Sequence, residues 1–156
     1  MSKAFDLKSL VRPHLMNLVP YSSARDEYTG KEGVFLDANE NAIGSTDEMG
    51  HNRYPDPYQF EIKQKISQIK NIAPDQNYLG NGSEEPIDLL IRLTCTPGKD
   101  AIMIHVPTYG MYEVSANINE VEIIKVPLTA DFELRPEAML EAVTPQTRIM
   151  WVCSPN

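Results

Sequence analysis

The residues best suited to chemistry are Gly80-Asn81-Gly82-Ser83-Glu84-Glu85. A short apolar approach, Asn77-Tyr78-Leu79, leads in as a strand, and Pro86-Ile87-Asp88-Leu89-Leu90-Ile91 leads out as a helix. Strand, glycine-bearing turn and helix start, in that order, make an anion cradle. The helix N-terminus offers unpaired N–H groups and the positive end of a dipole. Glycine lets the backbone approach a phosphate with no Cβ in the way. The cradle donors would be the backbone N–H groups of residues 82 to 84. In isolation the same pattern fits a tight turn with Ser83 as a plain N-cap equally well. Glu84 and Glu85 bring negative charge close to a bound anion, so cationic groups must come from elsewhere. No G-x-G-x-x-G follows the strand, and the Walker lysine is absent, which argues against a dinucleotide or a P-loop nucleotide.

Two further stretches carry chemistry. Pro107-Thr108-Tyr109-Gly110-Met111-Tyr112 follows an apolar run directly. Tyr109 therefore sits at the carboxyl end of a strand, where its ring can stack on a flat ligand or simply pack at the sheet edge. Asn52-Arg53-Tyr54-Pro55-Asp56-Pro57 is stiffened by its prolines. It can present Tyr54 to a neighbouring site, and locally it leads into a helix. His14, His51 and His105 lack a metal-binding spacing, and Cys95 and Cys153 form no ligand pair, so no metal is expected. No Ser/His/Asp arrangement follows from spacing.

The elements that must position these groups are legible in the periodicity. Residues 6 to 19 read as a short helix, weakened by Pro13 and ended by Pro20. Val34-Phe35-Leu36 reads as a brief strand. Residues 37 to 57 form a long excursion, of the kind that is functional, disordered or a plain surface loop. Ile62, Ile66 and Ile69 mark a helix over 58–70. A second helix spans 83–95, with Ile87, Leu90, Ile91 and Thr94 on one face. Ala101 to Val106 is continuously apolar, as in a strand covered on both faces. Residues 109–118 read as helix and Val121–Val126 as strand. Pro136 opens a helix to about Val143, and Arg148–Cys153 is a last strand. This alternation predicts an α/β fold with a mostly parallel sheet and helices on both faces. Its site lies beyond the carboxyl ends of the strands. The chain stops at Ser154-Pro155-Asn156, where a site residue is expected, which suggests the N-terminal part of a longer protein.

The bulk properties narrow the class. A chain of 156 residues, 42% hydrophobic and 23% charged, can bury a real core. The net charge of −8, from 22 acidic and 14 basic residues, argues against nucleic acid or an anionic membrane as the main partner. There is no signal-peptide hydrophobic region and no run approaching a membrane span, so a cytoplasmic protein with reduced cysteines is expected.

Taken together, the stretches Leu36-Asp37-Ala38-Asn39-Glu40-Asn41, Arg53-Tyr54-Pro55-Asp56, Gly80 to Glu85, Pro107 to Tyr112 and Cys153-Ser154-Pro155-Asn156 resemble the histidinol-phosphate aminotransferase family in order and spacing. Val19-Pro20-Tyr21-Ser22-Ser23-Ala24-Arg25 is similar as well, so the resemblance covers nearly the whole chain. It implies a fold type I pyridoxal-phosphate transferase. The reaction it implies moves an amino group between L-histidinol phosphate and 2-oxoglutarate in histidine biosynthesis. It implies that Gly82, Ser83 and Glu84 hold the pyridoxal 5'-phosphate phosphate through backbone N–H groups, and that Tyr109 stacks on the pyridine ring. Tyr54 would reach the phosphate of the neighbouring subunit's cofactor, making the working unit a homodimer. Tyr21 would approach the substrate phosphate, and Asn39 to Asn41 would line the substrate side. Residues 1–57 would form an arm with substrate and interface segments, and 58–156 the first part of the large cofactor domain.

The sequence departs from the family pattern at Ala42, where the family carries proline, which bears on the stiffness of that loop. The family's Schiff-base lysine, its pyridine-nitrogen aspartate and its substrate arginines have no match here. Neither Lys99 nor Lys125 fits the lysine position, so no catalytic residue is expected in this chain and it alone is expected to be inactive. The competing readings are another fold type I aminotransferase, a threonine-phosphate decarboxylase, or a non-catalytic module that binds a phosphorylated ligand.

Overall fold

The computed structural model describes residues 6–23, 28 and 33–156. Its contacts divide the chain into two compact units, Met1–Leu18 with Gly80–Asn156, and Val19–Leu79.

The first unit is built on a parallel three-stranded sheet. Its strands are β1 (Ala101–Val106), β2 (Glu122–Pro127) and β3 (Thr147–Trp151), in the order β2-β1-β3. β1 is central and its residues Ala101 to His105 are buried. This explains why its sequence does not alternate: both of its faces are covered. Ile102 and Ile104 pack with Ile87, Ile91, Cys95, Tyr112, Ala116 and Val121. Those partners come largely from helices α2 (Glu84–Thr94) and α3 (Met111–Ile118). On the opposite face Met103 meets Val126 and Met139, the latter from α4 (Pro136–Glu141). The placement follows from the strand order. The chain steps from β1 outward to β2, then back across β1 to β3. Right-handed crossovers in opposite directions put their helices on opposite faces. The order thus reverses at β1, and in open α/β sheets such a reversal opens a crevice at the carboxyl ends.

The register between β1 and β3 slips by one residue, from Ala101↔Thr147 to Ile102↔Ile149. The skipped residue, Arg148, turns its Nε to within 3.3 Å of the buried Asp100 carboxylate. Asp100 also accepts a hydrogen bond from the Thr96 N–H at 2.7 Å. Burial pushes this carboxyl up, but the Thr96 donor and the Arg148 charge outweigh it and hold the pKa below the usual value.

Residues 6–19 do not form the expected helix. They form two short 3-10 turns, Leu7–Ser9 and Pro13–Asn17. Pro13 lacks the N–H that a continuous helix requires. Arg12 serves α2 instead: its N–H donates to the Leu93 carbonyl at 2.9 Å and its guanidinium to the Arg92 carbonyl at 3.0 Å. A cation on the last carbonyls of a helix is favourable. The face expected for α2 is also narrower than its spacing suggested. Ile87 and Ile91 are buried, whereas Leu90 is 45% exposed.

In the second unit, α1 (Phe60–Lys70) forms where Ile62, Ile66 and Ile69 predicted it, but none of its residues is buried. Asp56 prepares its start by accepting from the Tyr58 and Phe60 N–H groups, both at 2.9 Å. These donors hold the Asp56 carboxyl below its ordinary pKa. Two expected strands are absent. Val34 to Leu36 joins no strand ladder among the described residues; Val34 and Leu36 are solvent-exposed, and the Phe35 ring meets that of Tyr28 edge-on at 5.8 Å. Asn77 has extended backbone, but Asn77 to Leu79 is in no strand among the described residues. A 3-10 turn, Pro74–Gln76, precedes it, and the Asn77 amide folds back on the Ala73 carbonyl at 2.8 Å. An apolar run becomes a strand only where a ladder partner exists.

Candidate functional site

The Gly80–Glu85 turn stands at the start of α2. Gly82 has φ +76°, and a Cβ built there would meet nothing within 4 Å. The glycine is therefore required by backbone conformation and not by crowding, and the space above it is open. Ser83 is at the N-cap position, but its backbone is right-handed helical and its side chain makes no capping bond. The turn is closed otherwise: the Glu85 carboxylate accepts from the Asn81 N–H at 2.7 Å. The N–H groups of Gly82, Ser83 and Glu84 have no hydrogen-bond partner among the described residues. Consecutive free donors beside an open glycine suit the oxygens of a phosphate.

Tyr109 lies against this turn. It follows β1 and precedes α3, at the sheet's carboxyl end. Its hydroxyl donates to Glu84 Oε1 at 2.9 Å. That bond raises the phenol's pKa above its ordinary value, because the carboxylate stabilises the protonated form and repels a phenolate. It also occupies Glu84, as Asn81 occupies Glu85. The two acids that looked hostile to an anion are thus engaged with the Tyr109 hydroxyl and the Asn81 N–H. The ring of Tyr109 meets Tyr112 edge-on, with centroids 5.7 Å apart. Tyr112 in turn stacks on Trp151 of β3 at 5.0 Å and 15°. The Tyr109 ring, 40% exposed, is therefore backed by packed aromatics. Asn156 closes the same end by donating from Nδ2 to the Pro107 carbonyl at 2.9 Å. Beside Tyr109, the Thr108 hydroxyl is buried and has no partner among the described residues.

Tyr112 and Trp151 were not singled out by sequence. Tyr112 was within reach, since it falls three residues after Tyr109 on the helix that follows. Trp151 was not, because a tryptophan in a strand usually signals only core.

The remaining expected site residues belong to the second unit. Tyr21 is 91% exposed and Tyr54 63% exposed. Asn39 is exposed, and its neighbour Glu40 has a nearly buried side chain. The long excursion is a built loop. Asn41 donates to the Gly44 carbonyl at 2.7 Å, Asn52 donates to the Asn41 carbonyl at 2.9 Å, and His51 Nδ1 lies 2.8 Å from Asp47 Oδ2. Of the expected residues, then, Gly82, Ser83, Glu84 and Tyr109 come together in one unit. Tyr21, Asn39 and Tyr54 lie in the other.

Both cysteines are free. Burial pushes the Cys95 thiol up, which makes it a poor nucleophile. Among the described residues no group of His, Cys, Asp or Glu could hold a metal ion, and no helix is long and apolar enough to cross a membrane. A cleft of about 340 Å³ lies at the opposite, amino end of the strands, between Gly98–Asp100 and Glu120–Glu122. It is remote from the turn and from Tyr109.

Residues 25–156 match the family described as aminotransferase class I and II. The chain belongs to the class I and II aminotransferases. Curated relatives are similar along nearly its whole length. Histidinol-phosphate aminotransferase of Cytophaga hutchinsonii is 58% identical over 98% of this chain and 44% of the relative. The enzyme of the same name from Parabacteroides distasonis is 51% identical over 97% of this chain and 43% of the relative. That from Schizosaccharomyces pombe is 44% identical over 97% and 42%. The chain thus spans less than half the length of these aminotransferases. Among solved structures, N-succinyldiaminopimelate aminotransferase of Mycobacterium tuberculosis superposes with a TM-score of 0.57 at 26% identity, covering 67% of this chain and 30% of that one. The fold expected from the strand and helix alternation is therefore the observed one.

Proposed function

We propose that this chain is the N-terminal part of a histidinol-phosphate aminotransferase, a homodimeric cytoplasmic enzyme of histidine biosynthesis. It would move an amino group between L-histidinol phosphate and 2-oxoglutarate, with pyridoxal 5'-phosphate as cofactor. The observation that carries the reading is the pairing of Tyr109 with Glu84 beside the free N–H groups of Gly82, Ser83 and Glu84. The donor set suits a dianionic phosphate, and the braced tyrosine ring suits a flat heterocycle bound next to it. The choice of substrate is supported by the names of relatives 44–58% identical.

In this reading Gly82, Ser83 and Glu84 orient the cofactor phosphate through their backbone, so the Glu84 carboxylate need not face it. Tyr109 keeps the ring plane fixed. Tyr54 adds a hydroxyl to the phosphate of the partner subunit's cofactor. Tyr21 and Asn39 serve the substrate. Residues 1–57 act as an arm, and 58–156 begin the cofactor domain. When bound, the cofactor supplies an electron sink for the amino-acid carbon. This chain's residues hold and orient it, and no lysine here is assigned to proton transfer.

The test is amino transfer by the full-length protein of this reading. L-histidinol phosphate and 2-oxoglutarate should yield glutamate at a kcat/KM well above that for N-succinyldiaminopimelate, aromatic amino acids or threonine phosphate as the amino donor. Equal or better turnover of one of those would reassign the substrate. A protein that binds pyridoxal phosphate without turnover would favour a binding module.

A further inference from the structure

One acidic residue of the second unit has a role that the reading above leaves open. The Glu40 side chain is only 3% exposed, yet it ends in a carboxyl group. A carboxylate so buried must be matched by donors. Its Oε2 accepts from Arg53 Nη1 at 2.7 Å, and its Oε1 accepts from the Tyr54 backbone N–H at 2.8 Å. Both oxygens therefore grip consecutive residues of a loop 13 and 14 positions away. Alongside, Asn52 donates to the Asn41 carbonyl at 2.9 Å. The segments 40–41 and 52–54 are thus stapled together at the base of the excursion. Pro55 then restricts Tyr54 to extended backbone. With its N–H clamped and its ψ limited, Tyr54 keeps freedom only in its side chain, which stays 63% exposed.

We infer that Glu40 is a positioning residue for Tyr54: it aims the tyrosine hydroxyl at a phosphate without touching the ligand. This rests on the reading of Tyr54 as a ligand of the cofactor phosphate. It also separates Glu40 from its neighbour Asn39, because the Glu40 carboxylate is engaged at the loop base.

The test uses the full-length holoenzyme of that reading, with equilibrium dissociation of pyridoxal phosphate followed by its absorbance. Tyr54→Phe and Glu40→Ala should each weaken cofactor binding about tenfold, as for loss of one hydrogen bond to a charged group. The double variant should be no weaker than Tyr54→Phe alone, since both changes remove the same contact. Glu40→Gln keeps an acceptor for the Tyr54 N–H and should recover most of the affinity. Should Glu40→Ala not fold, Glu40→Gln and Arg53→Met carry the comparison, with smaller losses that again vanish in the Tyr54→Phe background. Wild-type affinity in the Glu40 variants alongside a weakened Tyr54→Phe overturns the role of Glu40 and leaves that of Tyr54. Additive losses overturn it too. An unaffected Tyr54→Phe removes the reading of Tyr54 itself, and the inference with it.

Discussion

Tyr109 and Glu84 are 25 positions apart in sequence and joined by one hydrogen bond. Because the carboxylate favours the protonated phenol, Tyr109 should ionise above the ordinary tyrosine range of about 10. Glu84→Gln should bring it back down, which an ultraviolet pH titration of phenolate absorbance will read. An unchanged titration would mean that the two side chains do not meet. Gly82→Ala tests the turn. With nothing for a Cβ to strike, the cost is backbone strain at φ +76°, about 1 kcal/mol in urea denaturation. A loss near zero would mean that the turn tolerates another conformation. Residue types and order alone carried the pairing of a glycine turn with a strand-end tyrosine. What they did not carry was which donors engage Glu84 and Glu85. That depends on side-chain directions, Tyr109 reaching Glu84 and Asn81 reaching Glu85, which spacing cannot supply.

At the scale of elements, burial separates neighbours that periodicity groups together. Ile91→Ala, at a fully buried position of α2, should cost about 2–5 kcal/mol. Leu90→Ala, at a 45% exposed one, should stay below about 1 kcal/mol. Comparable urea midpoints for the two variants would contradict the observed face. Asp100 predicts a pH effect. Its pKa is lower folded than unfolded, so its contribution is full above the unfolded value, near 4, and is lost as pH falls through the folded value. Asp100→Asn should flatten the acid side of a stability–pH profile, and an unchanged slope would show that the Arg148 pair does not matter. β1 was legible because a strand buried on both faces leaves a continuous apolar run. α1 was legible from its isoleucine spacing, and α2 and α4 because Pro86 and Pro136 fall in their first turns. Asn77–Leu79 and Val34–Leu36 misled because short apolar runs look alike whether or not a partner strand accepts their hydrogen bonds. The single helix expected over 6–19 failed at Pro13, a cost that the leucine spacing masked.

For the whole molecule, an acidic charge and a parallel sheet with a carboxyl-end site agree with a small anionic ligand held by backbone donors and not by a basic surface. The family resemblance was legible because its motifs keep their order along the chain, and the curated relatives extend that similarity over nearly all of it. The whole-protein assembly was not, since Tyr54 acts across an interface in this reading and a single chain does not contain one. The 156 residues alone, given pyridoxal phosphate, L-histidinol phosphate and 2-oxoglutarate, should show no amino transfer above a protein-free control, because in this reading none of the chain's lysines is the Schiff-base lysine. Turnover by that chain would refute this assignment of roles. The most direct test of the account is a crystal structure of the full-length dimer with pyridoxal phosphate. The account predicts phosphate oxygens within about 3.2 Å of the Gly82, Ser83 and Glu84 nitrogens, with the Tyr109 ring parallel to the pyridine. A phosphate bound away from that turn would contradict it.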